Sequence, residues 1–115
     1  MGGLMVGLRA KIEVTSGPDA GKVWRLATAR EYMVGRGANN EIRLTDKTVS
    51  SVHARLEWQE GMWFVSDLGS KHGTYVQGEK VKGRKALFDG DTLRLGKTSI
   101  EFKESEEADT ASADQ

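Results

Sequence analysis

Residues 54–59 read Ala-Arg-Leu-Glu-Trp-Gln, so Ala54, Leu56 and Trp58 fall on one side of an extended chain and Arg55, Glu57 and Gln59 on the other. That two-residue period is what a strand with one wet face requires, because successive side chains point to opposite faces. Short apolar-rich runs of this kind recur almost to the end: RAKIEVTS, KVWRLA, EYMVGR, EIRL, ARLEWQE, MWFVSDL, TYV, KALF, TLRL and SIEFK. Between them stand SGPDAG, GANN, EG, GSKHG, QGE, DGD and GK, which carry the glycine, asparagine, aspartate and serine that tight turns use. No segment sustains a 3.6-residue period, so the pattern predicts an all-β domain, a sandwich or a barrel. The sole proline, Pro18, lies in the first turn, where it interrupts no ladder.

A chain of 115 residues is long enough to bury one core and too short for two. With no cysteine and two histidines, neither a disulfide framework nor a thiolate metal site is available, and no metal or cofactor is expected. No apolar run approaches the roughly 18 residues of a membrane span, and MGGLMVGLRA lacks the basic start and apolar core of a secretory signal. The expectation is a cytoplasmic protein with no membrane contact. Net charge is zero, but unevenly spread: residues 1–103 hold all 17 basic residues and 12 of the 17 acidic ones, a net +5. The segment ESEEADTASADQ, residues 104–115, is acidic and lacks aromatic residues, and is read as a disordered tail. A basic body suits an anionic partner, although this charge is also ordinary for solubility.

Three predicted loops concentrate donors. In VGRGANNEIRL, Arg36 is bracketed by Gly35 and Gly37 directly after a strand; it is either a surface arginine in a tight turn or a fork of donors aimed at an oxyanion. TDKTVSSVH is rich in hydroxyls and places Ser50 and Ser51 before His53, where the next strand begins. DLGSKHGTYVQG offers Ser70, Lys71 and His72 as a polar tip ahead of Gly73. Together Arg36, Ser50, Ser51, Ser70, Lys71 and His72 supply donors and no acid, which is what a doubly charged phosphate with three acceptor oxygens requires.

The order Gly35-Arg36, then Ser50-Ser51-Val52-His53, then DLGSKHGT, then DGDTLRLG resembles the forkhead-associated (FHA) domain over roughly residues 10 to 103. The resemblance implies a sandwich of about eleven short, mainly antiparallel strands with ligand-binding loops at one end. It implies an N-terminal extension over 1–8, an FHA domain over 9–103 and the acidic tail over 104–115. It further implies a monomeric, non-enzymatic signalling adaptor that binds phosphothreonine in a partner protein, downstream of a Ser/Thr protein kinase. By the same resemblance Arg36, Ser50 and Lys71 bind phosphate; Ser51, Ser70 and His72 contact the peptide; and Gly35, His53, Gly73 and Thr74 shape the loops. Two positions depart from the family's usual pattern. Ser51 stands where an arginine is common, and His72 where an asparagine usually holds the peptide backbone, so phosphate recognition is expected to survive better than peptide recognition.

Three other readings compete. A nucleophilic triad would join Ser50 or Ser51 to His53 and Asp67, but the chain shows no nucleophile-elbow motif. Nucleic-acid stacking would use Trp24, Trp58 and Trp63, yet all three lie inside strand patterns, where core packing is the expected use, so no nucleic acid is expected as a partner. A phosphate-independent interaction scaffold on the same fold remains the alternative function. Finally, Thr110 stands in the acidic setting EEADTASADQ that some kinases favour. Phosphorylated, it is a candidate to fold back onto Arg36, Ser50 and Lys71; the plain alternative is a solubilising terminus.

Overall fold

A computed structural model describes the backbone of residues 6–108 and the side chains of residues 9–105. Thr110, and with it the question of self-docking, lies outside the described residues. Eleven strands form: β1 (Val6–Ser16), β2 (Val23–Leu26), β3 (Tyr32–Gly35), β4 (Ile42–Arg43), β5 (Ala54–Gln59), β6 (Met62–Asp67), β7 (Thr74–Val76), β8 (Glu79–Lys80), β9 (Arg84–Leu87), β10 (Thr92–Leu95) and β11 (Thr98–Ala108). They build a six-stranded sheet in the order β2-β1-β11-β10-β7-β8 and a five-stranded sheet in the order β4-β3-β5-β6-β9. The only parallel pair among the described strands is β3 with β4. Among the described residues no helix is long and apolar enough to cross a membrane.

Alternation along each strand decides which side faces the other sheet. Ile12 and Val14 of β1, Ile100 and Phe102 of β11, and Leu93 and Leu95 of β10 point inward from one sheet. Val34, Ala54, Leu56, Trp63 and Val65 point inward from the other. A small void of about 10 Å³ is lined from both sides by Ile12, Leu93, Leu95 and Ile100 against Val34, Ala54, Leu56 and Val65, so the two inner faces meet there. Trp63 is fully buried, and Trp58 meets it edge-on with ring centroids 5.9 Å apart. Trp24 and Trp58 are partly buried against the same core, as the strand pattern required.

The structure differs from the sequence reading in two places. Strand β8 is not among the expected strands, and its first residue, Glu79, falls in the QGE turn after β7; both its residues are exposed, so no apolar alternation announces it. The hairpin forms because Gln77 and Gly78 both take positive φ, the geometry that matches the twist of the flanking strands. The second difference is at the ends. β1 begins at Val6 and β11 continues to Ala108, and the two pair in register from Val6↔Ala108 through Ala10↔Glu104. The boundaries drawn at 8/9 and 103/104 therefore fall inside a two-stranded ribbon rather than at its limits. Acidic composition reports on solvated side chains; it does not prevent main-chain pairing.

The loop end of the sandwich is tied together by a buried carboxylate. Asp46 accepts hydrogen bonds from Thr48 N–H (2.8 Å) and Thr48 Oγ1 (2.7 Å) through one oxygen, and from Thr98 Oγ1 (2.8 Å) through the other. Thr48 Oγ1 in turn accepts the Lys97 N–H at 2.8 Å. The loop before β5 is thus fastened to the β10–β11 turn, where Gly96 lies so close to Thr48 that a Cβ there would clash with both its side chain and its main chain.

Phe102 is fully buried in β11, between β1 and β10. Phe102→Ala is expected to cost about 3–5 kcal/mol. Urea denaturation should show a lower midpoint with an unchanged slope; a normal midpoint would mean that the inner faces do not pack as described.

Candidate functional site

The β3–β4, β4–β5 and β6–β7 loops meet at one end of the sandwich because main-chain bonds link them in series. Arg36 N–H donates to Ser50 O (2.9 Å) and Gly37 N–H to Ser51 O (3.0 Å), a ladder between the first two loops. Asn40 Nδ2 reinforces it by donating to both Ser51 O (2.7 Å) and Gly37 O (2.8 Å). This approach requires glycine at 35: a Cβ there would clash with the Ser51 carbonyl. The ladder places Arg36 beside Ser50, although 14 positions separate them in sequence.

His53 joins the second loop to the third. It is fully buried, its Nδ1 accepts the Ser50 main-chain N–H at 3.0 Å, and its Nε2 lies 2.9 Å from Gly73 O. A carbonyl only accepts, so Nε2 carries the hydrogen and the ring is neutral. Burial depresses the imidazole below its ordinary range and outweighs the Gly73 carbonyl and the Asp67 charge, which both favour the protonated form. With both nitrogens engaged, the ring takes no proton from Ser50 or Ser51, and the triad geometry is not formed.

Asp67 shapes the third loop. Its Oδ2 accepts the N–H groups of Gly69 and Ser70, both at 3.1 Å, and its Oδ1 accepts the hydroxyls of Ser70 (2.6 Å) and Thr74 (2.7 Å). Burial pushes this carboxyl up, but the Ser70 and Thr74 bonds prevail and hold it below the usual carboxylate range. Ser70, expected to contact a peptide, instead gives its hydrogen to Asp67 and accepts the Gly73 N–H at 2.8 Å. Its hydroxyl is an internal brace. Thr74 is buried in the same bracing, while Lys71 and His72 are exposed at the tip of the loop.

Arg36 and Ser50 both keep donors unspent. Arg36 Nε donates to Val49 O at 3.0 Å, which fixes the guanidinium by its stem and leaves the terminal fork on an exposed side chain. Ser50 Oγ accepts the Lys71 main-chain N–H at 3.0 Å, so its own hydrogen is free to be donated. The assembled end therefore presents a fixed guanidinium, a hydroxyl donor and the lysine of the adjoining loop. Among the described residues no group of three or more His, Cys, Asp or Glu side chains converges to hold a metal.

Sequence reasoning missed Asn40 and the bracing role of Asp67. For Asp67 a signal existed: an aspartate two and three residues before Gly69 and Ser70 is the signature of a side chain that caps its own turn. For Asn40 none did, because its partner Ser51 O lies 11 residues away.

A helix-free sandwich of two β-sheets that gathers these three loops at one end is the architecture of the FHA domains. The FHA domain family matches residues 32–96, and the chain belongs to that family. It is 39% identical over 71 residues to FHA domain-containing protein FhaB of Mycobacterium tuberculosis, covering 62% of this chain and 46% of that protein. It is 37% identical over 93 residues to the glycogen accumulation regulator GarA of Mycolicibacterium smegmatis, covering 81% of this chain and 58% of that protein. The chain thus spans about half the length of the curated relatives it matches. A structure solved in the analysis of phosphothreonine-dependent FHA domain interactions superposes with a TM-score of 0.74 at 29% identity, over 83% of this chain and 95% of that one.

Two outcomes test the loop scaffold. His53 has a folded pKa below its unfolded value of about 6.5, so the stability it contributes is present above that pH and is lost as pH falls through the folded value. Asp67 and Asp46 are likewise depressed, and their contribution is lost further down, below about pH 4. Melting temperature should therefore fall in two stages on acidification, and His53→Gln should abolish the upper stage; a single stage in the native chain would contradict the neutral imidazole. Gly35→Ala should destabilise by about 1–3 kcal/mol through overpacking against Ser51, read from urea unfolding.

Proposed function

We propose that this chain is a phosphothreonine-reading module that docks a partner protein after a Ser/Thr kinase has modified it, in the cytoplasm and as a monomer. One observation carries the reading: Arg36, pinned through Nε to Val49 O, stands beside Ser50, whose hydroxyl hydrogen is left free by the Lys71 N–H. A planar guanidinium with an exposed fork suits two phosphate oxygens, and a hydroxyl donor suits a third. Lys71 adds charge from the adjoining loop, and exposed Ser51 and His72 flank the site where a peptide backbone would run. The solved FHA domain whose interactions are phosphothreonine-dependent supports the choice of ligand. No chemistry on the ligand is part of this reading, because His53 is held by Ser50 N–H and Gly73 O and serves as a brace.

Titration calorimetry with a phosphothreonine peptide and its unphosphorylated counterpart tests the proposal. Only the phosphorylated form should bind. A hydrogen bond to a charged group contributes about 1.5–3 kcal/mol, so Arg36→Ala, which removes two and a charge, should weaken binding by about 100-fold or more. Ser50→Ala should cost roughly tenfold, since it removes one bond to the ligand and no charge. Equal binding of both peptides would instead support a phosphate-independent scaffold.

A further inference from the structure

The positive charge at the loop end exceeds what one phosphate uses, and the surplus is organised around Arg43. This residue closes β4, paired with Gly35 at the end of β3, and its Nε donates to the main-chain carbonyl of Arg36 at 3.0 Å. Arg36 is held in the same way, through Nε to Val49 O at 3.0 Å. Two neighbouring arginines are therefore both anchored by the stem nitrogen, both on exposed side chains, with their terminal forks unspent. An arginine that merely solvates a surface has no need of such an anchor. The anchor fixes a direction before any ligand arrives, which lowers the entropy lost on binding.

The local carboxylates form no ion pair with these two arginines. Glu41 Oε1 accepts the Met33 N–H at 2.7 Å; Asp46 is taken by Thr48 and Thr98; and Asp67 is taken by Gly69, Ser70 and Thr74. The described ion pairs involve neither arginine: they are Asp19–Lys22, Arg55 with Glu31 and Glu57, Glu79–Lys85, and Lys103 with Glu13 and Glu101. Among the described residues Arg36, Arg43, Lys47 and Lys71 form no ion pair, and all four are exposed. The acids of this region have been turned to main-chain and hydroxyl donors, and the bases have been left for something outside.

The geometry points to Arg43 as the reader of a second anion on the same peptide, an acidic side chain or a second phosphate close to the phosphothreonine. The inference rests on the proposed phosphothreonine site and specifies its ligand class: a peptide with at least two negative groups. Arg43 sits on the main chain of Arg36, and an extended peptide advances about 3.3 Å per residue, so the second group lies within about three residues of the first.

Fluorescence anisotropy tests this with labelled peptides. The reference carries one phosphothreonine flanked by alanines. A scan places a single aspartate at each of three positions on either side, and a further arm puts phosphoserine at the best of these. One position should raise affinity roughly fivefold at low salt, with a smaller gain at high salt. The phosphoserine arm distinguishes the sources: a larger gain than aspartate identifies a second phosphate, and an equal gain identifies an acidic side chain. In R43Q the ratio of acidic-flanked to alanine-flanked affinity should fall to about one. In R43E it should invert, with lysine preferred at the same position, and that reversal reads specificity in a folded chain even if R43Q is destabilised. A flat scan in the native chain, or a gain that R43Q retains, overturns the inference while leaving the parent site standing. Failure of the alanine-flanked peptide to outbind its unphosphorylated form overturns both.

Discussion

His53 stands where the β4–β5 loop, the β6–β7 loop and strand β3 come within hydrogen-bonding distance of one residue, and it bonds to all three. Its main-chain N–H donates to Val34 O and its carbonyl accepts the Leu68 N–H, both at 2.9 Å, while the ring links Ser50 N–H to Gly73 O. Each of these partners is a main-chain group, and for those of the buried residues Val34 and Gly73 the loss of a counterpart costs about 1–3 kcal/mol apiece. The imidazole performs this only when uncharged, since a protonated ring would turn its acceptor nitrogen into a donor facing another N–H. Burial enforces that state. The position of Ser50, and through the Arg36–Ser50 ladder that of Arg36, follows from it.

A division of labour among charged residues runs through the same end of the molecule. Acids are used inward: Asp19 accepts from Thr45 N–H and Oγ1, Asp46 from Thr48 and Thr98, Asp67 from its own turn and Thr74. Each carboxylate satisfies several donors at once, which is why all three stay ionised in spite of burial. Bases are used outward, and two of them are aimed by their stem nitrogens. The scaffold and the outward surface of this end are thus built from opposite charges.

What could be read in the sequence, and what could not, divides along physical lines. Strands such as β5 and β10 were legible because one face is apolar and the other polar, and the exposed polar tip at Lys71 and His72 because turns concentrate glycine and serine. Strand β8 was not, because two exposed residues at a sheet edge leave no apolar trace. The outer ribbon of β1 and β11 was not, because it is held by main-chain pairing, which composition does not record. At the site, glycine and arginine at 35 and 36 carried a recognisable signature, whereas Asn40 and Arg43 act on carbonyls supplied by the fold and are silent in one dimension. Ser70 shows the converse: its type suggested contact with a ligand, and its surroundings spend it on Asp67 and Gly73.

The paired ribbon also sets a tether length. β11 starts at the loop end of the sandwich, with Thr98 bonded to Asp46 and Lys97 to Thr48, and runs 11 residues to Ala108. At about 3.4 Å per residue its far end is about 34 Å from the loops. While β11 stays paired to β1, that far end is held at the full length of the strand from Arg36 and Ser50. One strand thus has its two ends in different surroundings: the first is fastened into the loop cluster by Thr98, and the last is a spacer's length away from it.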